Sequence, residues 1–372
     1  MTYDVAVVGA GILGLAHALA AARRGKRVVV IDRDARAVGA SIRNFGFVTI
    51  TGQQAGDCWE MARRSREVWG EVASGAAIPI LHEGLVVVAR RPESEAVIEA
   101  FLETDMGADC ERLTPDAAAA RAPAINRATT TAALWSPHEV RVESRTAIPA
   151  IARWLEEVHG VAFHWRTAVH AVTAPRVETA AGAIEAETVV VCPGDDWATL
   201  FPERLATYGV SRCKLQMLRV APERPMRLGA AVMSDLGLAR YLGYAELAAA
   251  EPLKRRLDRE QAQERANGVH LIVVQSADGS LVVGDSHHYE ATPDPFGETA
   301  VDDLILGEME RALDIGAYRV TSRWTGTYAT APDRWRLTDM PDDATRIVVV
   351  TAGCGASTAF GIGEETIRDL FG

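Results

Sequence analysis

Within the first 32 residues an apolar run, Tyr3-Asp4-Val5-Ala6-Val7-Val8, passes directly into Gly9-Ala10-Gly11-Ile12-Leu13-Gly14, and a second apolar run, Arg27-Val28-Val29-Val30-Ile31, ends at Asp32. This order constrains the fold more than any other feature. A strand, a glycine turn, a helix and a second strand make a βαβ unit, the opening of a doubly wound α/β sheet. Gly9 permits the tight turn, Gly11 lets backbone approach a pyrophosphate, and Gly14 lets the helix pack close to the strand. Ile12 and Leu13 stand at the helix start, where free N–H groups and the positive dipole end favour phosphate. Asp32, eighteen residues past Gly14, is placed to accept ribose hydroxyls, with Arg33 beside it. The pattern is the entrance to a dinucleotide site.

Residues 5–22 are almost wholly apolar, but three glycines, His17 and the acidic-ended strand that follows argue for buried α/β core over a membrane span. The 372 residues suffice for two domains, and 48% hydrophobic with 24% charged residues is ordinary globular composition. A net charge of -11 and a pI near 5.4 disfavour nucleic acid and anionic membrane surfaces as partners, while a local basic cluster can still meet a small anion. Five scattered cysteines without CxxC spacing point to a reducing, cytoplasmic setting and not to a disulfide framework. The nine histidines show no ligand spacing, so no metal is expected.

Farther along, periodicity predicts helices over 56–71, 93–106, 144–159 and 301–313, and strands over 84–89, 162–165, 168–173 and 188–192. Residues 270–276 and 280–286 read as a hairpin around Asp278-Gly279. In strand 211–219, Arg212, Lys214 and Gln216 share one face, and Lys214 and Gln216 are candidates to reach a cavity. Adjacent His287 and His288 point to opposite sides, so at most one faces a site. Residues 240–244 (Arg240-Tyr241-Leu242-Gly243-Tyr244) supply a cation and phenols for a pocket lid. A last buried strand, 346–351, runs into Gly353-Cys354-Gly355-Ala356-Ser357-Thr358 and a terminal helix. That second glycine-preceded helix start has its natural target at the far end of the same dinucleotide, where a positive helix end suits a flavin that gains negative charge on reduction.

Together Gly9/Gly11/Gly14, Asp32, the loop 39–46 with Ser41, Arg43 and Asn44, the segment 188–197 with Gly194 and Trp197, and the glycine loop at Gly355 resemble the FAD-dependent D-amino acid, glycine and sarcosine oxidase family over essentially the whole chain. The resemblance implies a Rossmann-type FAD-binding domain from 1–82, 140–212 and 322–372. It further implies an inserted α+β substrate domain, 83–139 and 213–321, on a mixed, largely antiparallel sheet. It implies that Ser41, Arg43 and Asn44 line the flavin, that Val169 meets adenine through its backbone, and that Gly355, Ala356, Ser357 and Thr358 offer N–H groups to the pyrimidine edge.

Departures from the family pattern shape the functional expectation. Tyr328 stands where glycine and D-amino acid oxidases carry a carboxylate-binding arginine, and Gly326 where sarcosine oxidases carry a flavin-linking cysteine, so non-covalent FAD is expected. Val282 stands at the place of the lysine that sarcosine oxidases use toward oxygen, which leaves O2 or another electron acceptor open. The expected reaction is oxidation of a C–N bond of a small amine by hydride transfer to flavin N5, then imine hydrolysis, with Tyr328, His287, Lys214, Tyr241 and Arg323 as candidate catalytic or anion-binding residues. Residues 214–218, 284–287 and 358–366 look most like a bacterial subgroup associated with phosphonate catabolism, which implies 2-aminoethylphosphonate or its N-methyl derivative as substrate and phosphonoacetaldehyde as product. Sarcosine, glycine or an imino acid is the alternative substrate, and a non-catalytic dinucleotide-binding module or an NAD-linked dehydrogenase the alternative class. Oligomeric state is not legible.

Overall fold

The chain's most apolar runs become the centre of a parallel sheet, in the computed structural model that describes residues 2–372. Side chains in 5–7, 28–31, 189–191 and 347–349 are at most 4% exposed. Strands buried on both faces read as unbroken Val/Ile runs: helices Ile12–Arg23, Ser144–His159 and Gly355–Phe371 cover one side, and strands Val169–Thr173 and Arg176–Thr179 with Leu200 and Leu205 cover the other. The main order is Arg336–Asp342, Thr345–Val350, Gly182–Val191, Thr2–Val8, Val28–Ile31, Ala162–His164. All these neighbours are parallel except the antiparallel edge strand Arg336–Asp342. Helix Ile12–Arg23 carries the chain from Thr2–Val8 to Val28–Ile31 on one side, while Gly182–Val191 pairs on the other. A crevice therefore opens at the carboxyl ends of these strands, where the strand order reverses.

The glycine turn is built as its sequence demands. Gly9 has φ +104° and donates its N–H to the Ile31 carbonyl at 2.8 Å, and a Cβ on Gly14 would lie 1.8 Å from the Gly9 carbonyl oxygen. The terminal helix Gly355–Phe371 packs against Ile12–Arg23. Gly363 permits this, since a Cβ there would come within 2.8 Å of the Ala16 carbonyl carbon. The apolar stretch 5–22 is thus a strand and a core helix, and no helix among the described residues is long and apolar enough to cross a membrane.

A second sheet of ten strands holds the rest, antiparallel except where His82–Ala89 runs parallel to Ala231–Met233. Its spine is Ser211–Pro222 paired along its length with Tyr318–Thr330. The expected fold class, a Rossmann-type sheet joined to a mixed and largely antiparallel one, is the observed one. The short strand Phe47–Val48, from the first segment of the chain, pairs into the second sheet.

Helix 144–159 matches its observed bounds, Ser144–His159, while helix 56–71 extends to Asp57–Gly75. Helix 93–106 stops earlier, at Pro92–Leu102, and a 3-10 turn, Asp105–Gly107, follows. Strand 188–192 is the end of a longer one, Gly182–Val191. The hairpin arms are shorter, Ile272–Gln275 and Leu281–Gly284, because residues at their outer ends turn into the cavity described below. Strand Ala132–Arg141 has no clear alternation, since Pro137, Glu139 and Arg141 interrupt it.

Beneath the second sheet lies a buried ion cluster. Asp235, 0% exposed, takes Arg90 at 2.6 Å, Arg91 at 2.8 Å and the Ser94 hydroxyl at 2.9 Å, and Arg90 also meets Glu308. Burial works against the Asp235 carboxylate, but the guanidiniums outweigh it and hold its pKa below the usual range. Removing one member of such a group leaves an uncompensated buried charge. Asp235→Ala should lower stability by about 3–5 kcal/mol in urea unfolding; a loss below about 1 kcal/mol would contradict this assignment.

Candidate active site

The crevice of the first sheet continues under the second as one cavity of about 1200 Å³. Gly9, Gly11, Ile12, Leu13 and Gly14 line it, with Asp32 and Arg33, Ser41, Arg43 and Asn44, Val169, Gly194, Gly355, Ala356 and Ser357. Asp32 is oriented in advance: Oδ2 accepts the Ala10 N–H at 2.7 Å and Oδ1 the Asp34 N–H at 2.9 Å. Burial pushes its pKa up, while those two bonds favour the charged form. Arg33 pairs with Asp196 at 2.6 Å across the mouth of the crevice. Asn44 shapes its own loop, donating to the Ala40 carbonyl at 2.8 Å and accepting from Gly46 N at 2.7 Å and Ser144 Oγ at 2.8 Å. Ser41 Oγ accepts the Ile12 N–H at 2.9 Å, and a Cβ on Gly11 would lie 3.0 Å from that oxygen.

The loop before the terminal helix faces the same cavity. Ser357 Oγ accepts the Thr49 N–H at 2.9 Å, which ties the helix start to the strand leading from the 39–46 loop. The first N–H groups of each helix have no intrahelical partner. Two such helix starts, a pre-oriented carboxylate and glycines that leave backbone bare together fit a dinucleotide with a charged ring system at its far end. FAD fits this donor set.

Beyond the Gly353 loop, the cavity is walled by the second sheet. Tyr328 lies directly over Gly353, where a Cβ would come within 3.2 Å of its hydroxyl. Tyr241, His287 and Tyr328 line the cavity as the sequence indicated, joined by Arg240, His270, Asp285 and Tyr289. Arg240 donates to the Tyr289 hydroxyl at 2.7 Å. Burial raises the pKa of Asp285 to about 7, with Arg240 pulling the other way. Burial first, and Arg240 second, push His270 and His287 well below the ordinary imidazole range. His270, Asp285 and His287 place ligand-type atoms within 4.8 Å of one another, but the Arg240 cation beside them opposes a metal ion.

Other candidates sit elsewhere. Lys214 points to the opposite face of its strand and donates to the Asp294 and Phe296 carbonyls at 2.9 and 3.0 Å. Gln216 on the same face bonds Asp302 at 2.8 Å, and Arg323 meets that carboxylate at 2.8 Å. The alternation places these residues together, but on the face covered by helix Thr299–Ala312, while Leu215 faces the cavity. Trp197 lies outside the lining, under the Arg212 guanidinium at 4.1 Å. Thr358 is buried inside the helix, donating to the Cys354 carbonyl at 3.0 Å. His287 faces the cavity, and His288 turns away to Asn267 at 3.0 Å. Sequence reasoning gave Asp285 and His270 no role, because each read as an ordinary strand position.

Comparison with known proteins agrees with this geometry. Residues 4–368 match the family model DAO, FAD dependent oxidoreductase, and the chain belongs to that family. Its fold is similar to glycine oxidase from Bacillus cereus ATCC 14579 (TM-score 0.79, 17% identity, 99% of this chain and 94% of that one). It is also similar to L-proline dehydrogenase from P. horikoshii (TM-score 0.78, 19% identity, 98% and 91%). A third is the FAD-bound L-alpha-glycerophosphate oxidase from Mycoplasma pneumoniae (TM-score 0.75, 15% identity, 100% and 95%). No curated protein matches the chain in sequence. The chain is thus an FAD-dependent oxidoreductase.

A charge-assisted hydrogen bond contributes about 1.5–3 kcal/mol. Asp32→Ala should accordingly weaken FAD binding by roughly ten- to a hundredfold, measured by fluorescence titration of the apoprotein. Unchanged affinity would show that the nucleotide lies elsewhere.

Proposed function

We propose that the protein oxidises the C–N bond of a small amine that carries an anionic group. Bound FAD supplies the two-electron acceptor, held non-covalently by segments 1–82, 140–212 and 322–372, with the substrate under 83–139 and 213–321. The observation that carries this reading is Arg240: a guanidinium opening into the same cavity as the two helix starts, surrounded by the Tyr241, Tyr289 and Tyr328 phenols. Such a set suits an anion that needs charge and several hydroxyl donors. Arg240 takes the role that Tyr328 cannot fill and that Lys214 and Arg323, engaged on the far face, do not reach. Tyr241 and Leu242 from one segment and Tyr289 from another stand on the cavity wall to hold the amine and exclude water.

Within this class our reading is 2-aminoethylphosphonate or its N-methyl derivative, supported by the phrases at 214–218, 284–287 and 358–366 and by the hydroxyl-rich surroundings of Arg240. Sarcosine, glycine or an imino acid is the second reading, favoured by the fold likeness to glycine oxidase and L-proline dehydrogenase. Val282 is 2% exposed in its strand and brings no cation to the cavity, so we keep O2 or another oxidant as acceptor.

Anaerobic titration with N-methyl-2-aminoethylphosphonate, sarcosine and glycine decides between them. We expect the phosphonate to bleach the visible flavin band; bleaching by sarcosine or glycine alone would move the substrate to the carboxylate branch, and no bleaching by any would refute the amine reading. Arg240→Lys should weaken the reducing amine roughly ten- to a hundredfold through loss of the planar fork. Lys214→Ala and Arg323→Ala should leave its affinity within about twofold of wild type, since both side chains are engaged on the face turned away from the cavity.

A further inference from the structure

The hairpin strand breaks where it enters the cavity. Leu281–Gly284 and His288–Glu290 both pair with Ser211–Pro222, and Asp285, Ser286 and His287 between them leave the ladder. Ser286 turns back to the sheet, where its Oγ accepts the Gln216 N–H at 3.2 Å. Asp285 and His287 face the cavity. Asp285 is 4% exposed, and its Oδ1 lacks a hydrogen-bond partner. The equally buried and unpartnered His270 Nδ1 stands 3.3 Å from it. His287 approaches the other oxygen, with Nε2 3.9 Å from Oδ2 and Nδ1 2.9 Å from the Gly268 carbonyl oxygen. A carbonyl only accepts, so Nδ1 carries the proton and the neutral ring turns its Nε2 lone pair toward Asp285. A buried carboxylate that faces the His287 lone pair and has no donor bonded to Oδ1 calls for a proton or a cation to complete it.

We propose that Asp285 is the proton acceptor for the substrate's ammonium group, taking one N–H proton on its carboxylate so that the amine stands neutral, with its lone pair free, before oxidation. This rests on the amine reading above. In this step one N–H bond breaks and one O–H bond forms, an ammonium and a carboxylate become a neutral amine and a carboxylic acid, and no electron is transferred. Removing both charges is favourable in a site shielded from water.

The surrounding groups leave Asp285 as the one that titrates near neutrality. Burial brings its pKa to about 7 against the pull of Arg240. His270 and His287 are held neutral by burial and by Arg240. The Tyr241, Tyr289 and Tyr328 phenols, which line the pocket, and the buried Cys213 thiol beside Tyr328 and Tyr289 are all pushed upward by burial and remain neutral. Only ionised Asp285 can accept, so the acceptor is present above about pH 7 and is lost as pH falls through that value.

The test uses the holoenzyme and two amines with no hydrogen on the carbon that bears nitrogen, 2-amino-2-methylpropylphosphonate and 2-aminoisobutyrate, which bind without being oxidised. At pH 8, infrared difference spectra on binding should gain the carbonyl stretch of a protonated carboxylic acid in wild type and not in Asp285→Asn. Binding that perturbs the flavin spectrum without this band would overturn the proposal. In the anaerobic reduction by a true substrate, the second-order rate constant should fall about tenfold per pH unit below pH 7 in wild type, and this inflection should be absent in Asp285→Asn; an inflection retained in the variant would also overturn it. If neither amine binds and no amine bleaches the flavin, the amine reading itself fails and the acceptor role falls with it, whereas bleaching without the proton signature sinks the acceptor role alone.

Discussion

A Cβ on residue 14 would sit 1.8 Å from the Gly9 carbonyl oxygen, so strand Thr2–Val8 and helix Ile12–Arg23 meet at a separation that only glycine allows. From that contact the rest of the cofactor end follows. The helix start is brought within 2.9 Å of Ser41 Oγ, and the turn places Ala10 N 2.7 Å from the Asp32 carboxylate. The same helix forms the floor on which Gly355–Phe371 packs, with Gly363 against Ala16. A chain that returns to the first sheet for its last strand can thereby aim a second helix start at the cavity that the first one opens.

The other half of the site depends on an interruption. Regular pairing of Leu281–Gly284 and His288–Glu290 fixes both flanks of residues 285–287, and the gap between them delivers a carboxyl and an imidazole to the cavity. Arg240 arrives from a different segment and is steadied by the Tyr289 hydroxyl. The result is one permanent cation beside a carboxyl that burial keeps close to half protonated near pH 7, with neutral imidazoles and phenols around them. In the function we propose, such a pocket distinguishes the two ends of a zwitterionic amine: the anion has a fixed partner, and the ammonium meets a group able to take its proton.

Much of the cofactor end was legible because its determinants are local. Gly9, Gly11, Gly14 and Asp32 lie on one βαβ unit, and Ala352 to Ser357 follow directly from a buried strand, so spacing alone conveys geometry. The substrate end resists such reading for two reasons. Strand alternation puts Arg212, Lys214 and Gln216 on one face but does not say which face is covered by helix Thr299–Ala312, and that helix occupies the polar side. Asp285 and His270 become special only when a break in the ladder brings residues fifteen apart in sequence to 3.3 Å, a tertiary fact with no local signature. Trp197 shows the same limit: it lies in the expected turn, but Arg212 claims its ring.

The central claim is that one cavity orients both ligands, with adenosine at Asp32 and the substrate anion at Arg240. A crystal structure of the FAD-loaded protein with bound 2-amino-2-methylpropylphosphonate tests it most directly. The account predicts the ribose hydroxyls within about 3 Å of the Asp32 carboxylate and the phosphonate oxygens within about 3 Å of the Arg240 guanidinium. A phosphonate seated against Lys214 or Arg323, or a ribose away from Asp32, would contradict it.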